Sequence, residues 1–320
     1  MSMKKQFITE LKAGDGVDDI FVLTSKNIAH KKDGNPYLNI VLGDKSGQLK
    51  GVAWDQVEKT AAAASAGDLV RVEGEVNEYR NELQLVVKEM AFQPNDSADP
   101  ADFLPASKRN INIMFERLTG LTRSFKTACL RELFEIFWMD ADFVNRFKSS
   151  SAAKKMHHAY VGGLLEHTLS MALLTDRIAG HYSGIDMEMV MAGVILHDIG
   201  KTKELSCGYK FDYSDEGRLL SHIILGLQML DEKLKQMPDF PEEKAILLKH
   251  MIISHHGSRE FGSPEPPKTL EAILLNYIDE MDSKINSIRD YIAKENTNES
   301  WTSYHRLLDR HFYRGNPTQS

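Results

Sequence analysis

The run Val190-Met191-Ala192-Gly193-Val194-Ile195-Leu196 is wholly apolar and ends directly on His197-Asp198. A segment of this kind is buried when the chain folds, and the ionisable pair at its end goes in with it. A buried carboxylate without a partner costs several kcal/mol, so the fold has to supply a compensating charge or a metal ion. The other histidines are concentrated in the same part of the chain. Of 12, only His30 precedes residue 157. The sequence therefore divides into a front nearly free of histidine and a back rich in it.

The front, residues 1–93, reads as β-rich. DLVRVEGEV (68–76) alternates Val70, Val72, Gly74 and Val76 against Arg71, Glu73 and Glu75, the period-two pattern of a half-buried strand. PYLNIVLGD (36–44) alternates Leu38, Ile40 and Leu42 in the same way, and QLKGVAW (48–54) follows it across the turn GDKSG as a hairpin. NELQLVV (81–87) pairs with 69–78 across EYRNE, and DIFVLTSKNIAH (19–30) supplies a first strand. Between the third and fourth strands, the alanine-rich DQVEKTAAAASAG (55–67) predicts a short helix that Gly67 ends. Three strands, a helix and two strands is the order of a five-stranded OB-fold barrel, whose surface often binds oligonucleotides. Phe21, Tyr37, Trp54 and Tyr79, with Lys31, Lys32 and Arg80 nearby, are the candidates for stacking on bases; for each one taken singly, packing of the barrel is the favoured reading.

Residues 94–112 begin with PNDSADPADFLPASKRN, rich in Pro, Asp, Ala and Ser, and read as a linker. From 113 to 320 the pattern is helical. Leu118, Leu121, Phe125, Cys129, Leu133 and Phe137 repeat at helical spacing, and no strand pattern of comparable length follows; YKFDYSDEG (209–217) reads as an irregular excursion. Separate apolar helices carry His167, His222, the group His250, His255 and His256, and the pair Asp279 and Asp282. One histidine in an apolar helix is usually a satisfied core residue. Several helices each aiming His or Asp inward, together with His197-Asp198, point to divalent metal. Neighbours on a helix diverge by roughly 100°, so His197 and Asp198 do not chelate as a parallel pair. A carboxylate has two oxygens, and Asp198 can serve two ions while His197 serves one of them. Gly200 then breaks the helix and leaves Lys201 free just beyond it to meet a substrate phosphate as a point charge.

His167, His197-Asp198 and Asp279 resemble the signature of the HD-domain metal-dependent phosphohydrolases, and His222 with His255-His256 resemble its additional metal positions. MHHAYVGGLLEHTLS and ILHDIGK are similar to the YhaM type of bacterial 3′→5′ exoribonuclease, a family that joins an N-terminal OB-fold to a C-terminal all-α HD domain. The resemblance spans nearly the whole chain. It implies one ion held by His167, His197, Asp198 and Asp279 and a second held by Asp198, His222 and His255. His256 then binds metal or contacts the phosphate or leaving group. His250 is expected outside the metal shell, and Asp282, on the same helix face as Asp279, is expected to orient a ligand. Lys154, Lys155, His157 and His158 are candidates for the substrate mouth, together with Tyr37, Trp54 and Tyr79 on the barrel. The reaction implied is in-line displacement at phosphorus assisted by two ions, with Asp198, Lys201 and His256 closest to the chemistry. Mn²⁺ is the ion implied, with Mg²⁺, Co²⁺ or Fe²⁺ as alternatives; the imidazole count argues against a pure Mg²⁺ site. The partner implied is single-stranded RNA, with single-stranded DNA second.

Charge qualifies this expectation. The net charge is −7, and residues 1–93 carry 12 basic and 14 acidic groups, a net of −2. Stacking therefore has to do more on the barrel than phosphate attraction does. The C-terminal WTSYHRLLDRHFYRG (301–315) interleaves aromatics with Arg306, Arg310 and Arg314, as a docking tail or as part of an RNA path. Two widely separated cysteines give no disulfide framework. The first residues lack an apolar core of signal-peptide length, and no apolar run spans a bilayer, so no membrane partner and a cytoplasmic location are expected. A homo-oligomer is compatible with all of this. Two other readings are an HD hydrolase of small or cyclic nucleotides, which leaves the barrel without a purpose, and a non-catalytic RNA-binding protein with a structural metal, for which a second ion is superfluous.

Overall fold

A computed structural model describes residues 4–80, 82–94, 98–154, 158–207, 209, 211–295 and 299–315. The chain forms two compact units, one of residues 1–106 with 207–212 and one of residues 107–206 with 213–320. The first is a closed barrel of β1 (Gly16–His30), β2 (Pro36–Asp44), β3 (Gly47–Ala53), β4 (Leu69–Tyr79) and β5 (Glu82–Gln93), in the order β1-β2-β3-β5-β4. Helix α1 (Val57–Ala62) lies between β3 and β4, where the sequence predicts one, but it ends at Ala62 inside the alanine run and not at Gly67. All pairs are antiparallel except β3 with β5, where Lys50, Gly51 and Val52 face Gln84, Leu85 and Val86 in parallel. The inward set contains Leu23, Leu38, Leu42, Val70, Val72, Val76 and Leu85, all buried. Gly74 belongs to the same alternation for a different reason. A Cβ there would stand 2.4 Å from the Val86 carbonyl oxygen, beside the register shift at Glu73/Gly74.

Of the four aromatic candidates Phe21 takes the packing role: it is wholly buried, with the Lys4 ammonium 3.6 Å from its ring centre, and is not a stacking surface. Phe21, paired with Val70, belongs to the period-two inward set of β1 with Val17 and Leu23, and the opposite face of the strand is buried as well, at Ile20 and Val22.

The second unit is helical: α2 (Ile111–Arg123), α3 (Ala128–Met139), α4 (Ala141–Ser149), α5 (Gly163–Ile178), α6 (Met187–Leu196), α7 (Lys201–Glu204), α8 (Asp215–Leu234), α9 (Glu242–Ser254) and α10 (Leu270–Lys294). Asn110, Asp140, Asp186, Ser214 and Thr269 cap α2, α4, α6, α8 and α10 by accepting first-turn amide hydrogens. The apolar periodicity across 113–138 resolves into α2 and α3, separated at Ser124–Thr127. The α6 run Met189–Leu196 is entirely buried, and α5, α9 and α10 pack around it. An all-apolar helix is buried all round, which is why the two polar residues at its end arrive in the centre of the unit. Within the segment expected to be irregular lies a three-residue strand, β7 (Phe211–Tyr213); another, β6 (Leu205–Cys207), precedes the segment, and Ser214 starts α8. In the barrel unit Tyr209 packs edge-on against Phe103 and donates its hydroxyl to the Ala98 carbonyl. That burial of an aromatic is what short-range periodicity could not reveal.

Candidate metal centre

Asp198 lies at the centre of the helical unit. Its Oδ2 is 3.2 Å from His197 Nε2, 3.9 Å from His167 Nε2 and 2.6 Å from Lys201 Nζ. Its Oδ1 is 3.6 Å from His222 Nε2 and 3.7 Å from His255 Nε2. The two oxygens thus face two different groups of imidazoles. On the Oδ2 side, Asp279 Oδ1 is 3.3 Å from His167 Nε2, so His167, His197 and Asp279 form one cluster. On the Oδ1 side, His222, His255 and His256 form another. The ligand candidates come from α5, the end of α6, α8, the end of α9 and α10, elements far apart in sequence.

Each imidazole is held from behind. The Nδ1 atoms of His197, His255 and His256 donate to the carbonyl oxygens of Val194, Ile252 and Phe261 at 2.8, 2.7 and 2.9 Å. Those of His167 and His222 lie 2.8 Å from Asp282 Oδ2 and 3.0 Å from Glu204 Oε1. A carbonyl or ionised carboxylate only accepts, so each Nδ1 carries a proton and Nε2 is the ring atom left to face inward as a ligand. His197 Nε2, His222 Nε2, His255 Nε2 and Asp198 Oδ1 are buried and have no hydrogen-bond partner among the described residues. Three buried imidazole nitrogens gathered round one carboxylate, none of them and not its Oδ1 hydrogen-bonded among the described residues, would be costly in an apolar core and are what a divalent cation satisfies. The donor set of imidazole nitrogens and carboxylate oxygens fits such an ion.

The electrostatics agree. Burial opposes charge on Asp198, but Lys201 and His197 hold its carboxyl well below the usual range. Burial and the neighbouring His197 and His256 push His255 down, toward the neutral, ligating form. His167 is the exception. Burial works against its charge, yet hydrogen bonds to Asp279 and Asp282 raise it to about 9, so loading a cation at its Nε2 releases a proton.

Several placements differ from expectation. Gly200 is right-handed (φ −62°, ψ −21°), and Lys201 opens α7 instead of hanging free. The lysine is bound to Asp198. Gly200 is there for close approach: a Cβ would lie 1.9 Å from the His222 carbonyl oxygen. His158 is turned inward, its Nδ1 2.7 Å from the Tyr160 hydroxyl and its Nε2 3.4 Å from Asp282, instead of lining a mouth. Lys154 places its ammonium 5.5 Å from the Tyr213 ring centre. Lys155 and His157 lie outside the described residues. His250 accepts from the Lys268 amide at 2.9 Å, outside both clusters. Asp282 holds His167 and also accepts from the Ser170 hydroxyl.

Glu204 was not visible in the sequence. Its Oε1 accepts from both the backbone amide (2.9 Å) and Nδ1 (3.0 Å) of His222. The preceding Ser221 adopts φ 62°, ψ 161° inside α8, a strained conformation for a side-chain-bearing residue, and this kink presents His222 to Glu204. Eighteen residues and a strand pair separate the two, so no periodic signal joins them. Glu204→Gln keeps the shape and removes the charge. We expect Mn²⁺ affinity at the His222 position to fall roughly 10- to 100-fold. Calorimetric titration reads this directly, and an unchanged isotherm would mean that the backbone alone orients the ring.

On the barrel, Tyr37 and Trp54 pack with ring centres 5.3 Å apart, and Lys31 Nζ lies 4.5 Å from the Trp54 ring centre. Trp54 and Lys31 border an open cleft of about 660 Å³ that Asn35, Gln56 and Lys59 also line. Tyr79 is exposed, with the Arg80 guanidinium 5.2 Å from its ring centre.

Comparison with known proteins places both units. Residues 164–284 match the HD domain family and residues 22–91 match an OB-fold nucleic acid binding domain. The 3′-5′ exoribonuclease YhaM of Bacillus subtilis is 32% identical over 308 residues, covering 95% of this chain and 96% of the relative. That of Bacillus velezensis is 32% identical over 304 residues with the same coverage. The chain belongs to the YhaM family. In this chain the OB-fold module precedes the HD module, and the HD module implies use of divalent metal. Among the described residues, no helix is long and apolar enough to cross a membrane.

Proposed function

We propose that this YhaM-family chain hydrolyses single-stranded RNA from the 3′ end, releasing nucleoside 5′-monophosphates, with single-stranded DNA as a second substrate and the cytoplasm as its place of action. The observation that carries the reading is the convergence of His197, His222 and His255 Nε2 with Asp198 Oδ1, buried and without hydrogen-bond partners among the described residues. His167, His197, Asp198 and Asp279 would hold one ion, and Asp198, His222, His255 and His256 a second. Bound there, two divalent ions, Mn²⁺ by preference, supply Lewis acidity and positive charge to a phosphodiester under attack by water.

The chain's own residues do the rest. Side-chain exposure is 18% at Asp279, 16% at Lys201 and 11% at His222, against 4% or less at His167, His197, Asp198 and His255. Substrate therefore approaches on the side of Asp279, Lys201 and His222. Lys201 can leave Asp198 for a phosphate oxygen without changing helix position, because its stem already starts at the rim. His256, only partly buried, offers Nε2 on the same side, its Nδ1 being committed to Phe261. Tyr37 and Trp54 offer rings on which unpaired bases can stack, which suits a barrel of nearly balanced charge.

The test is hydrolysis of oligoribonucleotides blocked at either end, with Mn²⁺. Single-nucleotide release stopped only by a 3′ block is expected; release stopped only by a 5′ block, or internal cleavage, would refute the polarity. EDTA should abolish turnover, with Mn²⁺ restoring it better than Mg²⁺. Full activity of metal-stripped protein in excess EDTA would remove the metal reading altogether.

A further inference from the structure

The long helix α10 presents two unlike faces. Ala272, Leu275, Ile278, Asp282 and Asn286 are buried against the helical unit. On the outer side, Leu270, Ile273, Tyr277, Met281 and Ile285 are 55, 38, 60, 52 and 61% exposed. The last four are spaced by four residues each, so they form one continuous ridge along the helix. At about 100° per residue, the centre of this ridge points opposite to Asp279. Scattered apolar residues are ordinary on a surface, but an aligned ridge of five large side chains is not.

We propose that this face of α10 pairs with the same face of a second copy of the chain, in an antiparallel arrangement about a two-fold axis near residue 279. The ridge is its own complement under that operation: Ile273 meets Ile285, Tyr277 meets Met281 and Leu270 meets Ile288, each contact occurring twice.

Charge argues against a nucleic acid as the occupant. Glu280 and Lys284 beside the ridge are paired with each other, and Glu271 accepts from the Asp186 amide at 3.0 Å. Area argues for a second copy. The five side chains expose on the order of 500 Å² per chain, so pairing buries about 1,000 Å², the lower bound of a specific interface. The C-terminal hairpin can enlarge it. Trp301 and Tyr313 bridge across it, and it packs onto α10 through Tyr291, whose ring centre is 4.5 Å from that of His305. Trp301, Tyr304, Leu307 and Tyr313 remain exposed. The pairing leaves the substrate side open and stiffens the helix that carries Asp279 and Asp282.

Sedimentation equilibrium of the full chain, from about 1 to about 100 µM, reads the association directly. Twice the 36.2 kDa chain mass is expected, falling to the single-chain mass in Met281→Lys and in Ile273→Lys. Leu219→Lys, at an exposed α8 position off this face, should stay paired. Circular dichroism verifies that each variant is folded, and Tyr277→Ser gives a milder second disruption. A single-chain mass of the unaltered protein at the highest concentration overturns the proposal, as does a two-chain mass that survives all three α10 substitutions.

Discussion

Asp198→Asn is expected to empty both metal positions at once and to lower hydrolysis by at least about a thousandfold. The reason is the division of one carboxylate between two clusters, with Oδ2 toward His167 and His197 and Oδ1 toward His222 and His255. The amide keeps the size but offers one oxygen and no charge, so neither cluster retains its shared anion. Affinity for single-stranded RNA should change little if the barrel supplies the binding. The metal-free variant should also be less stable than the metal-free parent. A buried carboxylate lacking a partner would gain from neutralisation, but Asp198 has one: Lys201 Nζ is 2.6 Å away and largely buried. Leaving that ammonium unpaired costs about 2 kcal/mol. Metal analysis, turnover and thermal unfolding of the variant decide the matter. Two retained ions with near-normal turnover would show that His197-Asp198 is a structural pair.

Gly200→Ala should be nearly as damaging although no reacting group is altered. The added methyl would stand 1.9 Å from the His222 carbonyl oxygen, 2.6 Å from the Gly226 amide nitrogen and 2.7 Å from the His222 carbonyl carbon. All three are backbone atoms, so no flexible side chain can give way. Relief requires α8 to move away from the turn that carries Asp198, and His222 moves with it. We expect a loss of about 3 kcal/mol or more, which lowers the melting midpoint by roughly 10 °C for a unit of this size. Mn²⁺ should bind with reduced stoichiometry. An alanine variant that melts normally and binds the full complement of ions would mean that the two segments are not in contact in solution.

Much of this architecture was legible in the chain. Alternation along 36–44 and 68–76 was sufficient for β2 and β4, because a strand with one buried face must repeat every second residue. The turn residues between 44 and 48 and the alanine run before Gly67 then set strand order, and closure of the barrel followed. The same rule holds at Phe21, which lies inward with Val17 and Leu23; what alternation alone does not show is that the other face of β1 is covered too, at Ile20 and Val22. In the helical unit, the apolar setting of His167, His197, His222 and His255 was enough to place them inside, because an imidazole in a buried helix has to find a partner.

The partners themselves were another matter. Sequence by itself determined that His197-Asp198 is buried at the end of α6 and needs compensation, since that follows from local composition and the cost of desolvation. Tertiary structure alone decided what compensates it. Glu204 reaches His222 across a strand pair and a strained Ser221, His158 turns inward to Asp282, and Lys201 closes on Asp198 instead of standing free. These are contacts between residues with no common period. They are set by the angles at which α5, α6, α8, α9 and α10 cross and by close approaches such as that of Gly200 to α8, which packing fixes only once the whole helical unit has formed.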